Sequence, residues 1–403
     1  MVVSALADLK VVEFAEMVSG PMCGKLFADM GAEVIKIEPP GTGDEARRHP
    51  PFPGDIPHPE KSGLFLYLNT SKKGITLDPA QPTGASIFKR LIEDADILIE
   101  NRPPGYMQSL GLGYEGLREI NPRLIMTSIS PFGQIGPYRD WKGSDLVEWA
   151  MSLTGYNTPT LVREPEKENP LRAPGHAADM MGGTAAAAAA MFAVLQREIA
   201  GEGQWIDAPC WQAVVNTAKV EMAVYTYTGM PYSRLRAKTS LGLEPSKCRD
   251  GYVYVLWAVN SHWQALKDLL GRPEAMDSEL FDDMQTRGAN DDIVRTLVQE
   301  ELAKHDMDWL VREGQARGLP IGPVYTVAQA AEHPHLHSRE AFIELDHPIA
   351  GRFRYPRALV KLDKTPVQPS RAPMLGEHND EILRERLGFS AEEVTGLRAA
   401  GII

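Results

Sequence analysis

Along the first forty residues the apolar positions change period twice. KVVEF (10–14) and EVIKIE (33–38) are short Val/Ile-rich runs, while SGPMCGKLFADMG (19–31) between them has apolar residues at helical spacing. Two such runs around a helical stretch predict a βαβ unit. The alternation continues with GITLD (74–78), a helix over ASIFKRLIED, a strand in ADILIE (95–100) and another in LIMTSIS (124–130). The expected architecture is an open, parallel α/β sheet. Ligands of such sheets bind beyond the carboxyl ends of the strands, which selects the loops after Phe14, Glu38, Glu100 and Ser130. They read AEMVSGP, PPGTGDEARR, NRPPGYM and PFGQIGPYRDWKGSD, rich in Gly, Pro and Arg. Plain turn chemistry is the alternative reading of any one of them.

Further on, helical spacing runs from about residue 178 to 199 and stops at the glycines of GEG (201–203), followed by strand and helix in GQWIDAPCWQAVVNT. The character then changes. A polar, basic stretch SRLRAKTSLGLEPSKCRD, a strand YVYVLWAV and amphipathic helices in HWQALKDLLG and DDIVRTLVQEELAKH predict a smaller α+β domain over 228–325, reached through a linker helix at 213–227. VAQAAEHPHL, a hairpin around IAGRFRYPRALVKL and a closing helix EEVTGLRAAG restore a regular pattern. The large domain is therefore expected to comprise 1–212 and 326–403.

Composition narrows the function. With 403 residues, 43% apolar and 24% charged, the chain is an ordinary folded protein, too long for one core. Forty-two Lys plus Arg against 54 Asp plus Glu leave a net charge of −12, the wrong sign for a nucleic-acid partner. Three distant cysteines, Cys23, Cys210 and Cys248, suit neither a disulfide framework nor a zinc cluster. The N-terminal MVVSALADLK lacks the features of a secretory signal, and no apolar run reaches 18 residues. The expectation is a cytoplasmic protein with no membrane segment. The first turn carries Gly20 and Gly24 rather than GxGxxG, which argues against a dinucleotide although Glu38 ends the second strand. HExxH, CxxC, GxSxG and P-loop patterns do not occur. His333, His335 and His337 are read as solvated surface, so no metal is expected.

The segment LRAPGHAADMMGGTAAAAAAMFAVLQRE places Asp179 at the start of a long alanine helix, where the positive end of the dipole favours a carboxylate. A helix cap and a nucleophile are both consistent with that position. Gly182 and Gly183 one turn later each cost about 1 kcal/mol against alanine, so something approaches closely there, either a ligand or a packed neighbour.

Taken together, LADLKVVEFAEMVSGPMCGKLFADMGAEVIKIEPPGTGDEAR, LNTSKKGITLD, ADILIENRPPG, LGLGYEGLREINPRLIMTSISPFGQIGP, AADMMGG, QREIAGEGQWIDA, GLPIGPV and RAPMLGEHNDEIL resemble the class III CoA-transferase family over nearly the whole chain. The resemblance implies a large Rossmann-like domain built from both chain ends, a smaller domain between them, and an interlocked homodimer. It implies CoA transfer from an acyl-CoA thioester to a carboxylic acid, with coenzyme A as substrate and product. Asp179 falls on the family's catalytic aspartate, whose implied role is to form a mixed anhydride and then an aspartyl-CoA thioester. Splitting the exchange into covalent steps avoids a direct displacement of thiolate by carboxylate, and requires that water be kept out.

The same resemblance carries CoA contacts to Val18, Ser19, Pro39, Leu77, Asn101, Arg102 and Lys142, with Arg102 and Lys142 facing phosphate. Arg47, Arg48, Lys72 and Lys73 add positive charge near the same loops, or are simply solvated. Tyr156, Met180, Met181, Tyr225, Tyr227 and Met230 are candidates for an apolar acyl pocket or for core. There are departures from the family. Ser109 stands where relatives tend to carry a phosphate-binding Arg, Glu16 and Val18 replace a His and a Gln of formyl-CoA transferase, and TSLGLEPSKCRDG replaces its glycine-rich lid, which argues against formyl or oxalyl substrates. Related α-methylacyl-CoA racemases pair the aspartate with the His of a GHD triplet. Here the triplet is Gly143-Ser144-Asp145, and an unaided serine is no general base near neutral pH, so transfer is favoured over racemisation. A non-catalytic CoA-binding protein is the third alternative.

Overall fold

The computed structural model of the chain describes residues 4–159, 162, 164, 166–230, 233, 234, 244–281 and 283–403. Six parallel strands form the central sheet: β1 (Lys10–Phe14), β2 (Glu33–Glu38), β3 (Lys73–Thr76), β4 (Ile97–Glu100), β5 (Ile125–Ser130) and β6 (Trp205–Pro209), in the order β3-β2-β1-β4-β5-β6. This is the doubly wound order in which the connections reverse direction between β1 and β4, opening a crevice at their carboxyl ends. All the expected strands are present, and GITLD and ADILIE are trimmed to Lys73–Thr76 and Ile97–Glu100.

Apart from the edge strand β6, the strands are largely buried on both faces, as their near-continuous Val/Ile content requires. One face packs Val12, Ile35, Leu98 and Met126 against Ile87, Phe88 and Leu91 of the helix Pro82–Ile92 and against Ile382, Leu383, Val394 and Ile402 from the C-terminal segment. The other packs Val11, Val34, Ile99 and Ile125 against Phe27 of α1 (Ser19–Asp29) and against Ala186, Ala190 and Ala193 of a 24-residue helix, Ala177–Ala200. That alanine helix is long and apolar enough to cross a membrane by length and composition alone, yet one side of it lies in this core. It ends where Gly201 takes a φ of 81° and donates its N–H to the Arg197 carbonyl.

Contacts divide the chain into two units. One comprises Met1–Pro159, Asn169–Ser233 and Glu340–Ile403, and the other Thr160–Glu168 and Arg234–Arg339. The residues expected as a linker at 213–227 lie inside the first unit, as the helices Cys210–Val215 and Lys219–Thr228. The short helices Val327–Ala331 and Pro334–Ser338 belong to the second unit rather than to the large domain, and the return falls at Glu340, just ahead of the antiparallel pair Phe342–His347 and Gly351–Pro356. The second unit has a three-stranded antiparallel sheet (Pro245–Lys247, Tyr252–Val255, Ile321–Pro323), with Trp263, Val294, Val298 and Leu310 in its core. Residues 235–243, half of the basic stretch and the first part of the lid-equivalent segment at 239–251, lie outside the described residues.

Candidate functional site

Charged side chains buried at the carboxyl ends of β1 and β2 shape the crevice. Glu13 and Lys36 project from neighbouring strands with no solvent exposure. Lys36 Nζ lies 3.0 Å from Glu13 and 2.8 Å from Asp44, and Lys72 Nζ lies 2.7 Å from Glu13. Burial alone raises the Asp44 carboxyl, but Lys36 and the N–H groups of Met17 and Ala46 outweigh it and hold the group below its ordinary value. Burial pulls the Lys72 ammonium down to about 8, with Glu13 opposing. Arg47 is likewise buried, 2.7 Å from Glu38 and 2.8 Å from Glu60, while Arg48 pairs with Glu45 and Lys73 with Glu33 and Glu381. Of the four cations near these loops, Arg47 and Lys72 are buried against carboxylates, Lys73 is partly exposed between two, and Arg48 is the solvated surface charge that the sequence also allowed. Asp44, held by Lys36, accepts the N–H of Met17 and so ties the loop after β2 to the loop after β1.

The seven residues carried over as CoA contacts all follow strand ends: Val18 and Ser19 after β1, Pro39 after β2, Leu77 after β3, Asn101 and Arg102 after β4, and Lys142 in the loop after β5. Asn101 joins the two sides of the switch point by accepting the N–H of Glu16 at 2.9 Å and donating to its carbonyl at 2.7 Å. Arg102 donates to Glu16 Oε1 at 2.8 Å and lies over the Phe14 ring. Pro39 is half-buried and Lys142 exposed. Val18 and Leu77 are different. Their side chains are 1% exposed, Val18 among Met22 and Leu68 and Leu77 in the main core, so only their backbones border the crevice. Ser109 is exposed and donates to the Tyr106 carbonyl.

Asp179 is the third residue of the alanine helix, in its first turn. The helix is capped from elsewhere: Asp145, at the start of α2 (Asp145–Met151), accepts the N–H of Ala178 at 2.8 Å. Asp179 is thereby released from the capping role that the sequence left open. Writing α3 for Ala177–Ala200 and α4 for Cys210–Val215, the two glycines prove to be packing positions. A Cβ on Gly182 would stand 2.3 Å from Cys210 Sγ, and one on Gly183 would stand 2.3 Å from the Ser19 carbonyl. Their lack of side chains lets α3 press against the first residues of α1 and α4, carrying Asp179 toward the switch-point loop.

Three potential ligand or acid–base groups meet there. Carboxylate oxygens of Glu148 and Asp179 and the Cys210 sulfur lie within 4.8 Å of one another. Burial raises the Asp179 carboxyl to about 7, with the Asp145 charge adding to it, and raises Glu148 to about 8, with Asp179 and Asp145 adding. Burial also keeps the Cys210 thiol well above its ordinary range, so it is a neutral S–H beside the pair. His176, the residue before α3, has a left-handed φ of 60° and places Nδ1 3.8 Å from Asp179 Oδ2. An aromatic group of Phe132, Tyr138, Trp141 and Trp211 packs the loop that delivers Asp145, with Tyr138 and Trp141 stacked at 3.9 Å.

Met180 and Met181 follow Asp179, packed against the Val18–Leu68 and the Trp149–Val214 clusters respectively. Tyr156, Tyr225, Tyr227 and Met230 are instead 48–88% exposed, which makes them neither core nor an enclosed acyl pocket in this chain alone. Sequence reading missed Glu148, Cys210 and His176 as neighbours of Asp179. The available signal was an acidic residue among the apolar ones of DLVEWAM.

The family description "CoA-transferase family III" matches residues 6–379. Succinyl-CoA–D-citramalate CoA-transferase of Chloroflexus aurantiacus is 32% identical over 408 residues, covering 99% of this chain and 98% of that protein. Formyl-CoA:oxalate CoA-transferase of Rhodopseudomonas palustris is 30% identical over 432 residues, covering 99% and 97%. Among solved structures, a CAIB/BAIF family protein from Brucella suis superposes with a TM-score of 0.82 at 29% identity, over 95% of this chain and 99% of that one.

Proposed function

The chain belongs to CoA-transferase family III, and on that premise we propose that it moves CoA from an acyl-CoA to a carboxylic acid through covalent intermediates on Asp179. The observation that carries this reading is the Asp179 carboxyl itself, freed from capping by Asp145 and mostly buried beside the switch point. Its raised pKa of about 7 leaves a substantial ionised fraction at neutral pH, held in a poorly solvated site where a carboxylate is a better nucleophile.

In the proposed sequence Asp179 Oδ attacks the thioester carbonyl, the C–S bond breaks, and CoA leaves as thiolate with the electron pair. The thiolate attacks Asp179 Cγ, releases the donor acid as a carboxylate and leaves an aspartyl thioester. An acceptor carboxylate reverses both steps, so no net proton is consumed. Intact-mass measurement after incubation with a panel of acyl-CoAs tests this, with hydroxylamine to trap activated carboxyl groups. A modification mapping to Asp179 is expected, and CoA binding without any label there would reject the covalent scheme.

For CoA we propose contacts from Ser19, Asn101, Arg102 and Lys142 and from the backbones of Val18, Pro39 and Leu77. Arg102 would exchange Glu16 for a phosphate, since its guanidinium is partly exposed and already at the switch point. Arg102→Ala is expected to raise KM for acyl-CoA about tenfold or more while kcat stays within a few-fold, the loss of one charge-assisted hydrogen bond. Steady-state kinetics at fixed acceptor would show it, and an unchanged KM would remove Arg102 from the binding set.

The racemase reading is not favoured by this geometry. Two bases that exchange an α-proton stand on opposite faces of one carbon, each roughly 3 Å away, whereas His176 and Asp179 are 3.8 Å apart. Ser144, at the triplet position, has no basic nitrogen.

We also propose that the enzyme is a homodimer. Phe192, Leu195 and Ile199 follow helical spacing along α3 and are 70%, 62% and 90% exposed, and Tyr225 and Tyr227 are 57% and 88% exposed. Single exposed apolar side chains are ordinary, but a run of them on one helix is the surface a second copy would cover. Light scattering should give twice the chain mass, and Phe192→Glu with Ile199→Glu should halve it. A monomeric wild-type protein would contradict this. Three buried free thiols suit a reducing compartment, and we place the enzyme in the cytoplasm on that ground.

A further inference from the structure

Glu148 is buried to within 1% exposure on α2, and its Oε2 has no hydrogen-bond partner. An acid in that state is costly to a fold unless it is neutral or meets a ligand. It is neither a cap nor part of an ion pair. It faces Asp179 from α3 and Cys210 from α4, with Asp145 on its own helix, and the adjoining helix Leu153–Tyr156 carries neither carboxylate nor cation.

We propose that Glu148, as a neutral carboxylic acid, donates a hydrogen bond to the oxygen of Asp179 that gains negative charge when CoA thiolate attacks Cγ. The proposal rests on the reading of Asp179 as nucleophile. In that step the Cγ–S bond forms, the carbonyl π pair moves onto oxygen, and the charge collapses as the Cγ–O bond to the departing acid breaks. The Glu148 proton stays on Glu148 throughout. A donor held in a dry site strengthens as charge appears on its acceptor, which is how oxyanion holes act. The 4.8 Å span of the cluster in the unliganded protein leaves room for the bond to shorten as the intermediate forms.

The two acids then have opposite requirements: Asp179 ionised and Glu148 neutral. Exchange should rise with pH as Asp179 ionises near about 7 and fall as Glu148 ionises near about 8. Glutamine is nearly isosteric and keeps a donor that does not ionise. The experiment measures exchange from pH 6 to about 9.5, and single-turnover formation of the Asp179 thioester by quenched intact mass, for wild type, Glu148→Gln and Glu148→Ala. Glu148→Gln is expected to stay within a few-fold of wild type at neutral pH, to keep the acid limb and to lose the alkaline one. Glu148→Ala is expected to form the thioester about 10²-fold more slowly while Asp179 is still acylated. A Gln variant that keeps the alkaline limb or falls as far as Ala overturns the proposal, as does an Ala variant within threefold of wild type. No label on Asp179 in the wild-type protein instead rejects the nucleophile on which it rests.

Discussion

Asp179→Ala is expected to lower CoA exchange by at least about 10⁴-fold, because it removes the atom to which the acyl group and then CoA are bound. The protein should remain folded. In the native chain Asp179 contributes no cap and sits near Glu148 and Asp145, two further acids. Its pKa is raised on folding, so the folded state binds its proton more tightly than the unfolded one. That costs stability increasingly as pH climbs from about 4 to about 7, and fully above. The variant should therefore melt no lower than wild type at pH 8, with a larger gain there than at pH 5. Calorimetry at the two pH values and an exchange assay together separate the loss of a nucleophile from the loss of the fold. Exchange retained within tenfold would mean that the carboxyl is structural.

The largest stability effect is expected at Glu13. Glu13→Leu leaves Lys36 with Asp44 as its one ion-pair partner and Lys72 without its carboxylate, all fully buried. Stranding a buried charge costs about 3–5 kcal/mol, a large part of a typical domain's stability. Urea unfolding should show the midpoint fall by that equivalent, and adding Lys72→Met should recover part of it, since the second change removes the stranded ammonium. A drop under about 1 kcal/mol would show that the network is not what holds the loops after β1 and β2.

The strands were legible because parallel strands buried on both faces read as Val/Ile runs, and KVVEF, EVIKIE and LIMTSIS do so without ambiguity. Asp179 was legible from its place before two glycines, although the glycines carried a different message: they measure how closely α3 approaches Ser19 and Cys210. The partners of Asp179 were not legible. Asp145 and Glu148 come from α2 and Cys210 from α4, and no local pattern in the sequence says that these two helices converge on the start of α3. Arg47 and Lys72 misled for a related reason. Sequence shows a charge but not the carboxylate that neutralises it from another strand, as Glu38 does for Arg47.

One feature of the sheet bears on how the protein is made. The outer strand β3 pairs with β2 on one side, and on the other its N–H groups are taken by the tail: Gly74 donates to His378 Nδ1 and Thr76 to Asn379 Oδ1. Asp78 likewise donates to the Ile402 carbonyl. During translation, therefore, β3 has an unsatisfied edge until residues 374–403 have left the ribosome. An open strand edge is a template for pairing with another nascent chain. Loss of this short tail should appear first as inclusion bodies, before any catalytic defect is measured.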